Sequence, residues 1–108
     1  MIVSAATIQN FDAERSKQVI GGLSRLFAQL NDVPPPGFIQ SLLLREDKGE
    51  ALFLTLWEDR SALGDFMATD KGQELARGFG EIVGREAELK DYFVTWQTES
   101  FETLRRCR

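Results

Sequence analysis

The chain has 108 residues, 43% of them hydrophobic, and a formal charge of −4 from 17 acidic and 13 basic residues. One domain of this size buries roughly 65% of the surface of its unfolded chain, enough to fold alone, and its apolar content is that of a globular protein. The acidic balance argues against a nucleic-acid partner, because phosphate contacts need a concentrated basic patch, and the only basic cluster, Arg105-Arg106-Cys107-Arg108, is too short to act alone on DNA or a membrane.

Ile2 to Gln9 reads as a strand with apolar residues on both faces. Met1 to Asn10 has no basic region followed by an apolar core, so it does not read as a signal peptide. No apolar run approaches the ~18 residues of a membrane span. The expectation is an intracellular, cytoplasmic protein. Asp12 is placed to cap a helix, with Phe11 before it as a staple. From Ala13 to about Leu30, Val19, Ile20, Leu23, Leu26, Phe27 and Leu30 fall at helical spacing. Gly21-Gly22 inside it reads as close packing onto a sheet, or as room for a ligand beside the helix. Pro34-Pro35-Pro36-Gly37 forms a stiff connection.

Phe38 to Arg45 is a second strand, and Asp47-Lys48-Gly49-Glu50 a short turn with Gly49 at positive φ. Ala51 to Trp57 is a strand closed by Glu58-Asp59. It places Phe53, Thr55 and Trp57 on one face and Leu52, Leu54 and Leu56 on the other. The pair forms an antiparallel hairpin. Asp59 caps a short helix carrying Leu63, Phe66 and Met67, and Thr69 or Asp70 caps the next, over about Lys71 to Arg85. Leu75, Phe79, Ile82 and Val83 line one side of that helix. Gly78-Phe79-Gly80 lacks the Lys-Ser/Thr of a phosphate loop and follows no strand, so it is not read as one. Leu89 to Gln97 is the last strand.

The order β-α-β-β-α-β, with its second helical part broken in two, predicts an α+β, ferredoxin-like fold: a four-stranded antiparallel sheet with helices on one face. The strands read apolar on both sides, yet helices cover only one. Exposing the other would be costly. A second copy set sheet against sheet is the expected cover, giving a homodimer. The domain spans residues 1–97, and 98–108 is a tail.

Pro36-Gly37-Phe38, then Leu54-Thr55-Leu56-Trp57-Glu58-Asp59, Ala62-Leu63, Phe66 and Met67-Ala68-Thr69-Asp70, resembles the antibiotic biosynthesis monooxygenase-like family. The resemblance covers about Ile2 to Gln97. It implies a dimeric α+β barrel with a cavity between sheet and helices in each subunit. In one branch, small polyketide-type phenols are oxidised to quinones by O2 with no metal, flavin or haem, the substrate's own enolate donating the electrons. That resemblance assigns Trp57 and Arg77 as catalytic. It aligns the branch's asparagine with Phe53 and its tyrosine with Leu63. A haem-degrading branch places its asparagine, tryptophan and histidine at Thr7, Phe66 and Ala76. The chain has no His, which leaves nothing to ligate the iron in the usual way.

The candidate site is thus Trp57 and Arg77 for chemistry, with Thr7, Phe53, Thr55, Leu63 and Phe66 around a small aromatic substrate. Trp57 can orient an aromatic ring by stacking or through its indole N–H, and Arg77 can hold a phenolate by a charge-assisted bond. Ser4, Gln40, Ser41, Tyr92 and Thr95 are further polar groups on strands that suit an apolar pocket. Asp91 interrupts an apolar strand and would serve as a base if buried, or sits exposed at an edge. Cys107 is the only cysteine, so it forms no intrachain disulfide; it reads as an exposed thiol. Three functions follow: a cofactor-independent monooxygenase, a non-catalytic dimeric ligand-binding module, or an isomerase or decarboxylase using a carboxylate such as Asp91.

Overall fold

The computed structural model describes residues 1–9, 11–47, 49–84 and 88–96. The tail at 98–108, with Cys107 and the arginine cluster, lies outside the described residues. The elements run β1 (Ile2–Ile8), α1 (Ala13–Asp32), β2 (Phe38–Arg45), β3 (Ala51–Trp57), α2 (Arg60–Met67), α3 (Asp70–Val83) and β4 (Glu88–Phe93). One antiparallel sheet has the order β2-β3-β1-β4. This is the expected ferredoxin-like βαββαβ arrangement.

Register divides the sheet cleanly. Ile2 pairs with Trp57, Ser4 with Thr55, Ala6 with Phe53 and Ile8 with Ala51. Residues paired across an antiparallel ladder share a face. Ile2, Ala6, Ile8, Ala51, Phe53 and Trp57 are all buried in one core with the helices. The alternate residues Val3, Thr7, Leu52, Leu54 and Leu56 turn to the other face and are only half-buried.

The helices start where capping chemistry dictates. Asp12 accepts from the Arg15 amide at 2.8 Å and Asp59 from the Ala62 amide at 2.8 Å. Thr69, not Asp70, caps α3: its hydroxyl oxygen accepts from the Gly72 amide at 3.0 Å and its proton goes to the Phe66 carbonyl at 2.6 Å. Phe11 is buried, and its amide donates to the Gly49 carbonyl at 2.6 Å, tying the α1 entrance to the β2–β3 turn. Gly49 has the expected positive φ of 90°.

The glycine pair in α1 packs differently from expectation. A Cβ on Gly22 would stand 3.0 Å from Ile82 Cδ1, and one on Gly78 would stand 2.9 Å from Leu26 Cδ1. Each helix therefore offers a glycine notch to a branched side chain of the other, so the close contact is α1 on α3 rather than α1 on the sheet. Ile20 is 48% exposed and leaves the buried stripe, which runs through Ser16, Val19, Gly22, Leu23, Phe27 and Leu30. At the other end, β4 stops at Phe93, short of the Gln97 expected, and its outer face carries Glu88 and Lys90, 3.3 Å apart. The apolar outer surface is thus built by β2, β3 and β1 and gives way to charge at β4.

Candidate functional site

The helix-facing side of the sheet carries three transverse rows that span all four strands. Phe38, Trp57, Ile2 and Phe93 form one, and Leu43, Phe53, Ala6 and Leu89 another. Between them lies a polar row of Ser41, Thr55, Ser4 and Asp91, one residue from each strand. A cavity of about 160 Å³ opens above its middle. Its floor is Ser4, Ala6, Phe53, Thr55 and Trp57. Phe27 of α1, Leu63 and Phe66 of α2, and Leu75 and Phe79 of α3 form its walls. The exposed lining residues Met67, Ala76 and Leu89 mark a mouth between α2, α3 and β4.

Aromatic contacts hold the walls apart. Trp57 meets Phe38 edge-on at 5.2 Å between ring centres and Phe66 at 5.4 Å. Phe53 meets Phe27 at 4.9 Å and Phe79 at 5.3 Å. These separations are in the favourable range for aromatic pairs. The large rings brace one another and leave space between them. Phe53, Leu63 and Phe66 line that space without filling it.

Trp57 is only 2% exposed. Its indole N–H donates to Thr55 Oγ1 at 3.1 Å. The two residues are i and i+2 on β3, so they share a face and reach each other directly. Of the two contacts expected of Trp57, stacking or the indole N–H, the N–H is engaged by Thr55 and the residue lines the cavity.

Five of the seven residues expected at the site line the cavity: Phe53, Thr55, Trp57, Leu63 and Phe66. Two do not. Thr7 stands opposite Leu52 and Glu88, on the outer face of the sheet, because odd-numbered residues of β1 face away from the helices. Arg77 is exposed and absent from the lining, whereas Leu75, Ala76 and Phe79 belong to it. Two residues along a helix turn by about 200°, so a position two beyond Leu75 and two before Phe79 faces outward. Asp91 is exposed on the β4 edge, 4.0 Å from the Arg60 guanidinium, which also lies 5.3 Å over the Phe93 ring. It is not the buried carboxylate that a base role requires.

Ser4, Ala6, Phe27, Met67, Leu75, Ala76, Phe79 and Leu89 also line it. Residue parity was the available signal for Ser4. Once Trp57 and Thr55 face the helices, Ile2, Ser4 and Ala6 must do so too if β1 and β3 pair. Among the described residues no charged side chain lines the cavity, and the hydroxyls of Ser4 and Thr55 are the polar side-chain groups of the lining beside the Trp57 indole. Among the described residues no group of three His, Cys, Asp or Glu side chains is placed to hold a metal ion. No described helix is long and apolar enough to cross a membrane.

No protein-family model matches the chain, and no curated protein does. Solved structures do match. A putative antibiotic biosynthesis monooxygenase from Deinococcus radiodurans is 14% identical, with a TM-score of 0.66 over 94% of this chain and 99% of that one. Another of the same description from Caulobacter crescentus is 18% identical, with a TM-score of 0.65 over 88% and 90%. Rv0793 from Mycobacterium tuberculosis is 13% identical, with a TM-score of 0.66 over 91% and 98%. At these identities the likeness establishes a shared fold over nearly the whole of each chain. Within one chain it agrees with the α+β fold that the resemblance over Ile2 to Gln97 implied.

Proposed function

We propose that the chain is a cofactor-independent monooxygenase that oxidises a small phenol with O2 in the cavity above Trp57. The observation that carries this reading is the cavity itself: an apolar, aromatic-walled space with hydroxyls on its floor, in a fold shared with proteins described as putative antibiotic biosynthesis monooxygenases. Its size narrows the substrate. An apolar cavity of about 150 Å³ accepts benzene, so about 160 Å³ suits a single ring rather than a fused polyketide.

The reaction balances with the ring as the electron donor. A phenol and O2 give a quinone and water. One oxygen atom becomes the new carbonyl, and the other leaves as water with the phenolic proton and the hydrogen of the oxidised carbon. This chain's residues exclude water from the ring, orient it against Phe53, Phe66 and Trp57, and offer hydroxyl donors to the oxygen as charge develops there. Among the described residues the lining has no side chain that serves as a strong base, so the reading favours acidic phenols, which ionise without one.

We propose in addition that two copies pair through the outer sheet face. Leu42, Leu44, Leu54 and Leu56 form an apolar surface there, and Leu44 is 48% exposed in the single chain. Contiguous exposed apolar surface of this kind marks an interface. The helical side, with its cavity, stays free.

That no base lines the cavity among the described residues supports one alternative, a module that binds the same ligands without turning them over. Oxygen-electrode measurements across a panel of single-ring phenols, with quinone followed by absorbance, separate the two. Oxygen uptake that falls on Trp57→Phe supports the enzyme. Quenching of Trp57 fluorescence without oxygen uptake establishes the binding module.

A further inference from the structure

The polar row on the helix-facing side is interrupted by the cavity at only two of its four residues. Ser41 and Asp91 are outside the lining, and Ser4 and Thr55 are inside it. The pair sits directly opposite in the β1–β3 ladder, where Cβ atoms are about 4.5–5.5 Å apart. One ligand atom above the pair can therefore reach both hydroxyls.

Their hydrogen-bonding states differ. Thr55 Oγ1 already accepts the Trp57 indole proton at 3.1 Å. A hydroxyl so engaged is oriented to donate its own proton elsewhere. The Ser4 hydroxyl makes no hydrogen bond to another described residue. It faces the cavity with its proton free to turn. The rows on either side are apolar, so among the described residues no other polar side chain of the floor competes for the same atom. The nearest carboxylate in the row, Asp91, is exposed and drawn toward Arg60.

We infer that Ser4 and Thr55 form a two-donor notch that receives the oxygen of a single-ring aromatic ligand, with Trp57 as the positioning residue that aims the Thr55 hydroxyl. This deepens the proposed function and rests on its premise that the cavity takes an aromatic ring. The notch predicts discrimination between molecules of nearly equal size by one atom. Phenol presents an oxygen to the pair; toluene presents a methyl group and leaves two donors unpaired. A site built around hydrogen bonds rejects the analogue lacking them more strongly than an apolar wall rejects an added group.

The test is the binding of phenol and of toluene, followed by the indole fluorescence of Trp57 in a Trp96→Phe background. Trp96 is 79% exposed and lies outside the cavity lining, and the chain has only two tryptophans. The expected result is phenol bound roughly five- to tenfold more tightly than toluene, the worth of about one net hydrogen bond. Ser4→Ala and Thr55→Val should each erode that preference, by weakening phenol and by strengthening toluene, which then leaves one donor fewer unpaired, and Thr55→Ser should keep most of it. Trp57 has its own readout. Its indole N–H resonance should shift with both ligands, through the ring current of the bound ring, and further with phenol, which also engages the Thr55 hydroxyl that accepts that proton. Equal binding of phenol and toluene, unchanged by Ser4→Ala and Thr55→Val, overturns the notch and leaves the aromatic cavity standing. Failure of both molecules to bind removes the cavity reading, and the notch with it.

Discussion

The Arg15 guanidinium donates from Nη2 to the main-chain carbonyl of Val83 at 2.8 Å, joining residues 68 apart in sequence. Arg15 lies in the first turn of α1, and Val83 is the last residue of α3. The last turn of α3 has no basic residue of its own, though unpaired carbonyls gather there. The other helix supplies the cation. Arg15→Ala should destabilise the fold by about 1–2 kcal/mol, from the lost charged hydrogen bond and the lost dipole contact. Thermal unfolding measures this as a Tm lowered by roughly 4–8 °C per kcal/mol. Arg15→Lys, which keeps the charge, should recover part of the loss.

Gly37 controls the turn into β2. It has φ of 81°, its carbonyl accepts from the Glu58 amide at 2.8 Å, and a Cβ there would collide with that of Ala62. Gly37→Ala therefore meets two independent penalties, a left-handed backbone and a clash with α2, together about 2–4 kcal/mol. Ala62→Gly relieves only the clash. Denaturant melts of the two single variants and the double variant should show a favourable coupling of about 1 kcal/mol or more. Strict additivity would mean that the chain sidesteps Ala62.

The features legible in the sequence were those marked by local chemistry. The hydrophobic run Ala51 to Trp57 ends in Glu58-Asp59, and Asp12 and Thr69 have side chains that satisfy free amides. What escaped depends on partners distant in the chain. Val94 and Trp96 extend the apolar pattern of β4, but β1 begins at Ile2, which pairs with Phe93. The Val94 amide then reaches the Met1 carbonyl at 3.0 Å, one step beyond the last paired residues. Ile20 matches the helical stripe by hydrophobicity, whereas Gly22, which takes the buried place against Ile82, is invisible to a pattern that counts large side chains. Thr7 and Arg77 were assigned by alignment with other chains. The ladder parity of β1 and the turn of α3 send both away from the cavity.

Pairing of two copies through the outer face should be sensitive to its centre. Leu54 lies between Ala5 and Leu42 in neighbouring strands. A lysine there would bring charges of like sign into the middle of a twofold interface and bury them among leucines. Sedimentation equilibrium should give a mass of two chains for the natural sequence and one chain for Leu54→Lys. Thr7→Lys, nearer the charged β4 margin at Glu88, should weaken pairing less. A stable single chain for the natural sequence would remove the dimer.

Phe79 offers a way to change which ligands fit while sparing the hydroxyl pair. It is half-buried on α3, lines the cavity wall and packs against Phe53 at 5.3 Å. Phe79→Ala should cost up to about 3 kcal/mol, less than a fully buried ring because part of the side chain already meets water. The vacated volume adjoins the existing space, so the cavity should accept a second fused ring. Competition of 1-naphthol against phenol, read by Trp57 fluorescence with Trp96→Phe, should then shift toward 1-naphthol by at least about tenfold. That is the order expected when one apolar ring gains a wall to pack against. Because Ser4 and Thr55 are untouched, the variant should still prefer 1-naphthol to 1-methylnaphthalene. A preference for size without a preference for oxygen would show the wall acting alone.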